Sequence, residues 1–302
     1  MTLKKGLKYG VSIIVILIIC WYFFIKNYDY QITFKSSQTP GSIYTNILGW
    51  NNFENANVKA VTTLDKKPFS EIFQQLKIND TLIDIHWEFK ILNDSTTKVI
   101  GRFKDVEHSF KQKLLVPFTK TDFVKRNLYT MESVRHSLNE FNKTYKIGLI
   151  ETSNLNSKFC VYIPVECKMS EKANNMIRNV SFIMNFIRDN NLKLVGDPFL
   201  EITKWDIHNN DIAFDFCFPI ESITEYPESP ELKFKTSKAL PSLKTIFNGN
   251  YRISDRAWFK LLDYSNQNKI AVDSLPIEIY KNDPHGGGDE LKWEAEIYMP
   301  LK

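Results

Sequence analysis

A tandem repeat constrains a fold more tightly than composition does, and one short pattern occurs twice in the last third of this chain. Phe199-Leu200-Glu201-Ile202-Thr203-Lys204-Trp205-Asp206 matches Pro276-Ile277-Glu278-Ile279-Tyr280-Lys281-Asn282-Asp283, with Glu, Ile, Lys and Asp in register. Each copy leads into a second apolar run with a similar end, Phe216-Cys217-Phe218-Pro219-Ile220 and Ile297-Tyr298-Met299-Pro300-Leu301. Upstream, residues 182–191 (FIMNFIRDNN) and 259–268 (FKLLDYSNQN) face each other without a gap, both with helical apolar spacing and an Asn-rich end. Each copy therefore reads as strand, helix, strand, strand. A unit that cannot bury its own apolar face must pack on its sister, so the two copies are expected to share one domain with a seam between them.

The run Phe247-Asn248-Gly249-Asn250-Tyr251, the helix bearing Trp258, and the segments PIEIYKNDP and EAEIYMPL resemble the GyrI-like small-molecule-binding domain, the effector-binding domain of bacterial transcription activators. The resemblance covers residues 149–302. It implies a pseudo-twofold pair of βαββ units whose sheets line a groove for amphipathic, often cationic or aromatic, ligands, and Glu296 stands where the family places its groove acid.

At the other end, Val11–Ile25 (VSIIVILIICWYFFI) is an unbroken apolar run that Tyr9 and Gly10 extend to about the minimum for a bilayer-spanning helix. Residues 1–27 are expected to form an anchor crossing the membrane at 9–25. Lys4, Lys5 and Lys8 precede the run, against Lys26 and Asp29 after it, which puts the N-terminus in the cytoplasm and the rest outside. A cleaved signal peptide competes, but Trp21-Tyr22-Phe23-Phe24 stands where cleavage wants small residues. Ile18, Ile19 and Trp21 likewise argue against acylation of Cys20.

Residues 28–146 form the middle region. In Leu82–Ile91 (LIDIHWEFKI) apolar residues alternate with Asp84, His86, Glu88 and Lys90, giving a strand with one dry face. Asn93-Asp94-Ser95 makes a turn, and Thr96–Phe103 returns as a second strand. Further strands are expected at Tyr30–Phe34, Val58–Leu64, Phe69–Leu76 and Phe110–Val116, with a short helical stretch near Gly41–Trp50. Val124, Leu128, Met131, Val134, Leu138 and Phe141 form the stripe of a long covering helix. This order, with the hairpin Asn79-Asp80-Thr81-Leu82-Ile83-Asp84-Ile85-His86-Trp87-Glu88-Phe89, resembles the START-like, polyketide-cyclase-like helix-grip fold, which implies a cavity between sheet and helix for a lipid-like or aromatic ligand. The whole chain is thus expected to be α+β: anchor, helix-grip antiparallel sheet, then a duplicated domain.

Little catalytic machinery is legible. The five histidines never take a metal-ligand spacing, and no metal or cofactor is expected. His285-Gly286-Gly287-Gly288 lacks an accompanying GxSxG and reads as a strand connection, and phosphate-binding glycine loops are absent. A formal charge of +4 with no long basic block does not indicate nucleic acid. Cys160 and Cys167 could pair outside the cytoplasm, or they and Cys217 could stay reduced.

The groove remains. Glu294, Glu296 and Tyr298 share one strand face and Ala295, Ile297 and Met299 the other, with the apolar set expected under the helices. In the first copy Asp215 and Cys217 correspond to Glu296 and Tyr298. The same alternation places Glu201, Thr203 and Trp205 on one side, matched by Glu278, Tyr280 and Asn282. A carboxylate beside aromatic rings suits a cation or polarised aromatic ligand, so Glu296, Tyr298, Asp215, Tyr280 and Trp205 are the candidate binding residues. The expected function is a membrane-held small-molecule binding or sensing module. The alternatives are a hydrolase of reactive electrophiles with Glu296 as general base, and a partner-gripping envelope protein.

Overall fold

The structure is a computed structural model that describes residues 2–50, 58–78, 81–93 and 96–302. It is a mixed α+β protein with antiparallel sheets and one apolar N-terminal helix, and it divides into two compact units, Met1–Asn139 and Glu140–Lys302.

The first unit starts with α1 (Thr2–Cys20), which widens into one π-helical turn at Trp21–Ile25. The window Lys8–Ile25 has a mean hydropathy of 2.2 and none of it is buried, so this helix is long and apolar enough to cross a membrane. β1 (Tyr30–Ser36) follows, then α2 (Pro40–Leu48), β2 (Val58–Lys67), β3 (Glu71–Ile78), β4 (Thr81–Asn93) and β5 (Thr96–Asp105). The five strands pair antiparallel in the order β1-β5-β4-β3-β2. α2 begins where Thr39 caps the amide of Ser42 and Pro40 occupies the first turn, and Gly49 ends it.

Strict alternation sets the inner face of β4: Ile83, Ile85, Trp87 and Phe89 are buried, while Asp84, His86 and Glu88 remain partly exposed. The last helix of this unit, α4 (Asp122–Phe141), lays Phe123, Val124, Met131, Val134 and Leu138 on that core. It approaches β5 closely at Gly101, where a Cβ would stand 2.9 Å from Met131 Sδ.

The run expected as a strand at Phe110–Val116 is instead helix α3 (Ser109–Leu115). Its Phe, Lys, Gln and Leu residues do not alternate, and apart from Phe110 they are good helix formers, so nothing local opposes helix. The turn residues Asp94 and Ser95, and Asn79-Asp80 of the preceding turn, lie outside the described residues.

The second unit contains β6 (Tyr145–Ile147), β7 (Glu151–Leu155), β8 (Phe159–Lys168), α5 (Lys172–Asp189), β9 (Phe199–Asp206) and β10 (Asp211–Pro219). It continues with β11 (Lys233–Thr236), β12 (Leu240–Gly249), α6 (Asp255–Asn268), β13 (Ile277–Tyr280) and β14 (Glu294–Pro300). All nine strands join one sheet in the order β11-β8-β10-β9-β13-β14-β12-β6, with β7 also on β12. The succession strand, helix, strand, strand occurs as β8-α5-β9-β10 and as β12-α6-β13-β14, and the two stretches meet where β9 pairs with β13.

One face of this sheet carries the helices. Ile183 and Ile187 of α5, Trp258 and Leu261 of α6, and Phe214, Phe216, Ala295, Ile297 and Met299 of the strands share one core there. On the opposite face a smaller apolar cluster of Leu155, Cys160, Phe199, Cys217, Ile277, Ile279 and Tyr298 forms the floor of a groove. Gly249 closes β12 at φ +151°, where a Cβ would meet Tyr145 Cβ at 2.9 Å.

Across the seam Ile277 stands opposite Glu201, Glu278 opposite Leu200 and Ile279 opposite Phe199. Glu201 and Glu278, aligned in the repeated sequence, therefore lie one position apart in the sheet and on opposite faces.

Candidate functional site: a lysine-filled groove

On the groove face, ladder pairing sets Asp215 of β10 beside Glu201 of β9. Lys235 on β11, two strands beyond β10 with β8 between, reaches both: its Nζ is 2.6 Å from Glu201 Oε2 and 2.5 Å from Asp215 Oδ2. The same ammonium lies 4.7 Å from the centre of the Tyr162 ring. Burial alone would lower the Lys235 pKa, but Cys217 nearby and the hydrogen bonds to Asp215 and Glu201 more than reverse this and hold it above the ordinary lysine value.

A second cage lies across the seam. Lys244 of β12 donates to Glu296 Oε1 at 2.9 Å and sits 5.4 Å from the centre of the Tyr298 ring. The Tyr298 hydroxyl donates to Glu296 Oε2 at 3.2 Å, and Lys281 stands 3.3 Å from that oxygen and 2.9 Å from Asp197 Oδ2. Burial pushes the Glu296 carboxyl up, yet hydrogen bonds and charge from Lys244 and Lys281 outweigh it and leave its pKa below the ordinary value. Burial and the Glu296 charge raise the Tyr298 hydroxyl.

Lys158 is the exception among these lysines. Its Nζ lies 5.6 Å from the centre of the Phe199 ring, and no carboxylate among the described residues comes within ion-pair distance of it. Burial, reinforced by Lys281, lowers its pKa. Lys158, Phe199, Glu201, Ile277 and Ile279 line a hollow of about 270 Å³, counted to its open mouth.

Glu296, Tyr298 and Asp215 thus stand on the groove face together with Glu201. Trp205 and Tyr280 do not. Thr203 is an extra residue in β9, since Ala213 pairs with Lys204 and Phe214 with Ile202. This bulge reverses the side-chain phase of the rest of the strand and turns Trp205 to the helix side, 5.3 Å from the Trp258 ring and 6.0 Å from Phe259. Tyr280 is buried beside Met176 and donates to Glu278, because Ile277 and Ile279 take the groove side of that strand.

Glu278 also faces the helices and is wholly buried. It accepts two hydrogen bonds from the Lys172 ammonium at 2.9 and 3.0 Å, and Lys172 also donates to Ser254 Oγ at 2.6 Å. The Trp258 ring lies 4.8 Å from that ammonium. The buried pair ties α5 of one stretch to α6 and β13 of the other.

Sequence reasoning missed the lysines. Lys244 could have been found from the alternation of β12, but nothing local marks Lys235, whose partners lie 34 and 20 residues away. All four cysteines are free. Cys160 and Cys167 lie seven residues apart on β8, about 23 Å along an extended strand and on opposite faces, beyond disulfide reach. Among the described residues no cluster of three His, Cys, Asp or Glu could hold a metal ion.

No protein-family profile and no curated protein matches the sequence. Similar solved structures include EcmrR bound to DNA in a cryo-EM complex, at 15% identity and TM-score 0.45 over 63% of this chain and 74% of that one. The EcmrR C-terminal domain is similar at 14% identity and TM-score 0.44, covering 51% of this chain and 98% of that domain. SAV2435 bound to tetraphenylphosphonium is similar at 15% identity and TM-score 0.36, covering 51% and 94%. Likeness this remote does not carry function, which has to rest on the site itself.

Proposed function

We propose that this chain is a small-molecule-binding protein, held at a membrane by residues 9–25, that takes an amphipathic cationic or aromatic ligand in the groove of its second unit. The observation that carries the reading is the pair of carboxylate–tyrosine cages flanking an apolar floor. Acid and ring face together attract a cation, and each cage already holds the ammonium of an internal lysine. A ligand cation would exchange with Lys235 or Lys244 while its apolar body covers Phe199, Ile277 and Ile279. The hollow is shallow and encloses room for only about one water molecule, so displacement of a lysine would also have to make the room required.

On this reading residues 1–27 are the anchor, 28–146 a START-like helix-grip domain, and 149–302 a pseudo-twofold GyrI-like domain built from the two strand-helix-strand-strand stretches. The lysine excess before the apolar run supports a cytoplasmic N-terminus with the folded units on the other side. The hydrolase alternative is not favoured, because Lys244 and Lys281 occupy both carboxylate oxygens of Glu296 and hold its pKa below the ordinary value, away from the near-neutral range that suits a general base.

The test is binding of a fluorescent lipophilic aromatic cation such as rhodamine 6G to the full chain in nanodiscs, by anisotropy, with empty nanodiscs as blank. Lys235→Met should tighten binding several-fold by vacating one cage, and Glu201→Gln/Asp215→Asn should weaken it. Binding unchanged in both variants would exclude this cage as the site.

A further inference from the structure

The helix that replaced an expected strand, α3, lies against the end of the apolar span. The Tyr22 hydroxyl donates to the Lys113 carbonyl at 3.0 Å, and the rings of Phe23 and Phe110 are 5.3 Å apart. Lys113 is buried, and its ammonium donates to the carbonyls of Phe23, at 3.1 Å, and Lys26. Carbonyls left over at a helix end need donors, and a cation there also suits the helix dipole, so Lys113 fastens the span to the first unit.

Around this joint the surface is unusually apolar. Phe110 and Leu114, one helical turn apart on α3, are 64% and 51% exposed, and Phe118 just beyond is 84% exposed. On the span itself Trp21, Phe24 and Ile25 are 50%, 81% and 64% exposed. Lys111 and Lys120 stand exposed beside the α3 residues. An apolar patch of this kind on a water-soluble surface marks an interaction site, and aromatic residues flanked by lysines suit the boundary between acyl chains and headgroups.

Building on the reading of residues 9–25 as a membrane anchor, we infer that α3 and Phe118 form an interfacial collar that lies in the headgroup region of the bilayer around the end of the span. The bilayer is the occupant favoured by continuity, since the patch is contiguous through Phe23 and Phe110 with a helix apolar enough to cross it. The collar would hold the first unit against the membrane in one orientation rather than leave it swinging on a tether.

Photo-crosslinking of the full chain tests this, in liposomes of phosphatidylcholine and phosphatidylglycerol. p-Benzoylphenylalanine would replace Leu114, Phe118, Ile16 in the span, or Leu64, which is exposed on β2 at the sheet edge opposite β1. All four positions are exposed, so none of the substitutions disturbs a core. Lipid adducts at 16, 114 and 118, several-fold above 64, are expected. Adducts at 16 alone would overturn the collar while leaving the anchor standing. Protein–protein adducts at 114 and 118 would overturn it in favour of a partner surface, and equal lipid yield at 64 would overturn it as unspecific. No lipid adduct at 16 would remove the anchor itself, and the collar with it.

Discussion

The two faces of the nine-stranded sheet carry similar ion pairs in different surroundings. On the helix side Lys172 and Glu278 are 1% and 0% exposed, and every polar atom is matched by Ser254, Tyr280 or the partner charge. On the groove side Lys235 with Glu201 and Asp215, and Lys244 with Glu296, keep between 15% and 25% of their side-chain surface in water. A dry pair cannot exchange its partner without stranding a charge, whereas a pair that keeps part of its surface in water exchanges at lower cost. The first therefore fastens the two halves of the unit together, and the second leaves a cation site that a ligand can contest.

The largest expected effect comes from breaking the dry pair. Glu278→Gln leaves the Lys172 ammonium buried without its countercharge and should lower stability by about 3–5 kcal/mol in urea unfolding of the detergent-solubilised chain. Lys172→Met/Glu278→Leu should recover most of that loss, because an apolar pair strands no charge. If Glu278→Gln were harmless, the contrast between the faces would collapse.

Asp263 of α6 sharpens the comparison as a half-buried carboxylate with no cation in ion-pair distance among the described residues. Burial pushes its pKa up from 3.8 to about 7. The folded state therefore holds the proton more tightly than the unfolded chain, so this group's contribution is fully present below pH ~4 and is lost as pH rises through about 7. Asp263→Asn should stabilise the chain by about 1–2 kcal/mol at pH 8, allowing for its partial hydration, and have little effect at pH 4.

Smaller effects belong to the groove. Lys235→Met should cost about 1 kcal/mol, well short of the loss from Glu278→Gln, because the two carboxylates it leaves keep some contact with water, and it should alter cation binding as well. Tyr298→Phe removes one long hydrogen bond to Glu296 and should cost about 0.5–1 kcal/mol, with a modest loss of binding. A large loss of stability in either variant would mean that the groove pairs are structural too.

Much of the architecture was legible because it is written in local periodicity. The alternation of Ile83, Ile85, Trp87 and Phe89, the stripe from Val124 to Leu138, and the division of Ala295, Ile297 and Met299 from Glu296 and Tyr298 all follow from fixed side-chain periods. The candidate site was legible only in part, because a period survives only until something shifts its phase. The extra residue at Thr203 sends Trp205 to the opposite face, and the seam pairing of Ile277 with Glu201 turns Glu278 and Tyr280 inward.

By itself the sequence determined the apolar N-terminal helix, the α+β character with antiparallel strands, and the repeated strand-helix-strand-strand order, since each depends on neighbours within a few turns or strands. Only the tertiary structure decided that Lys235 would lie between Glu201 and Asp215, that Lys244 would reach Glu296 across 52 residues, and that Lys172 would be sealed against Glu278 across 106. Charge pairing acts through space at a few ångströms, and the chain separation between such partners leaves no trace in local pattern.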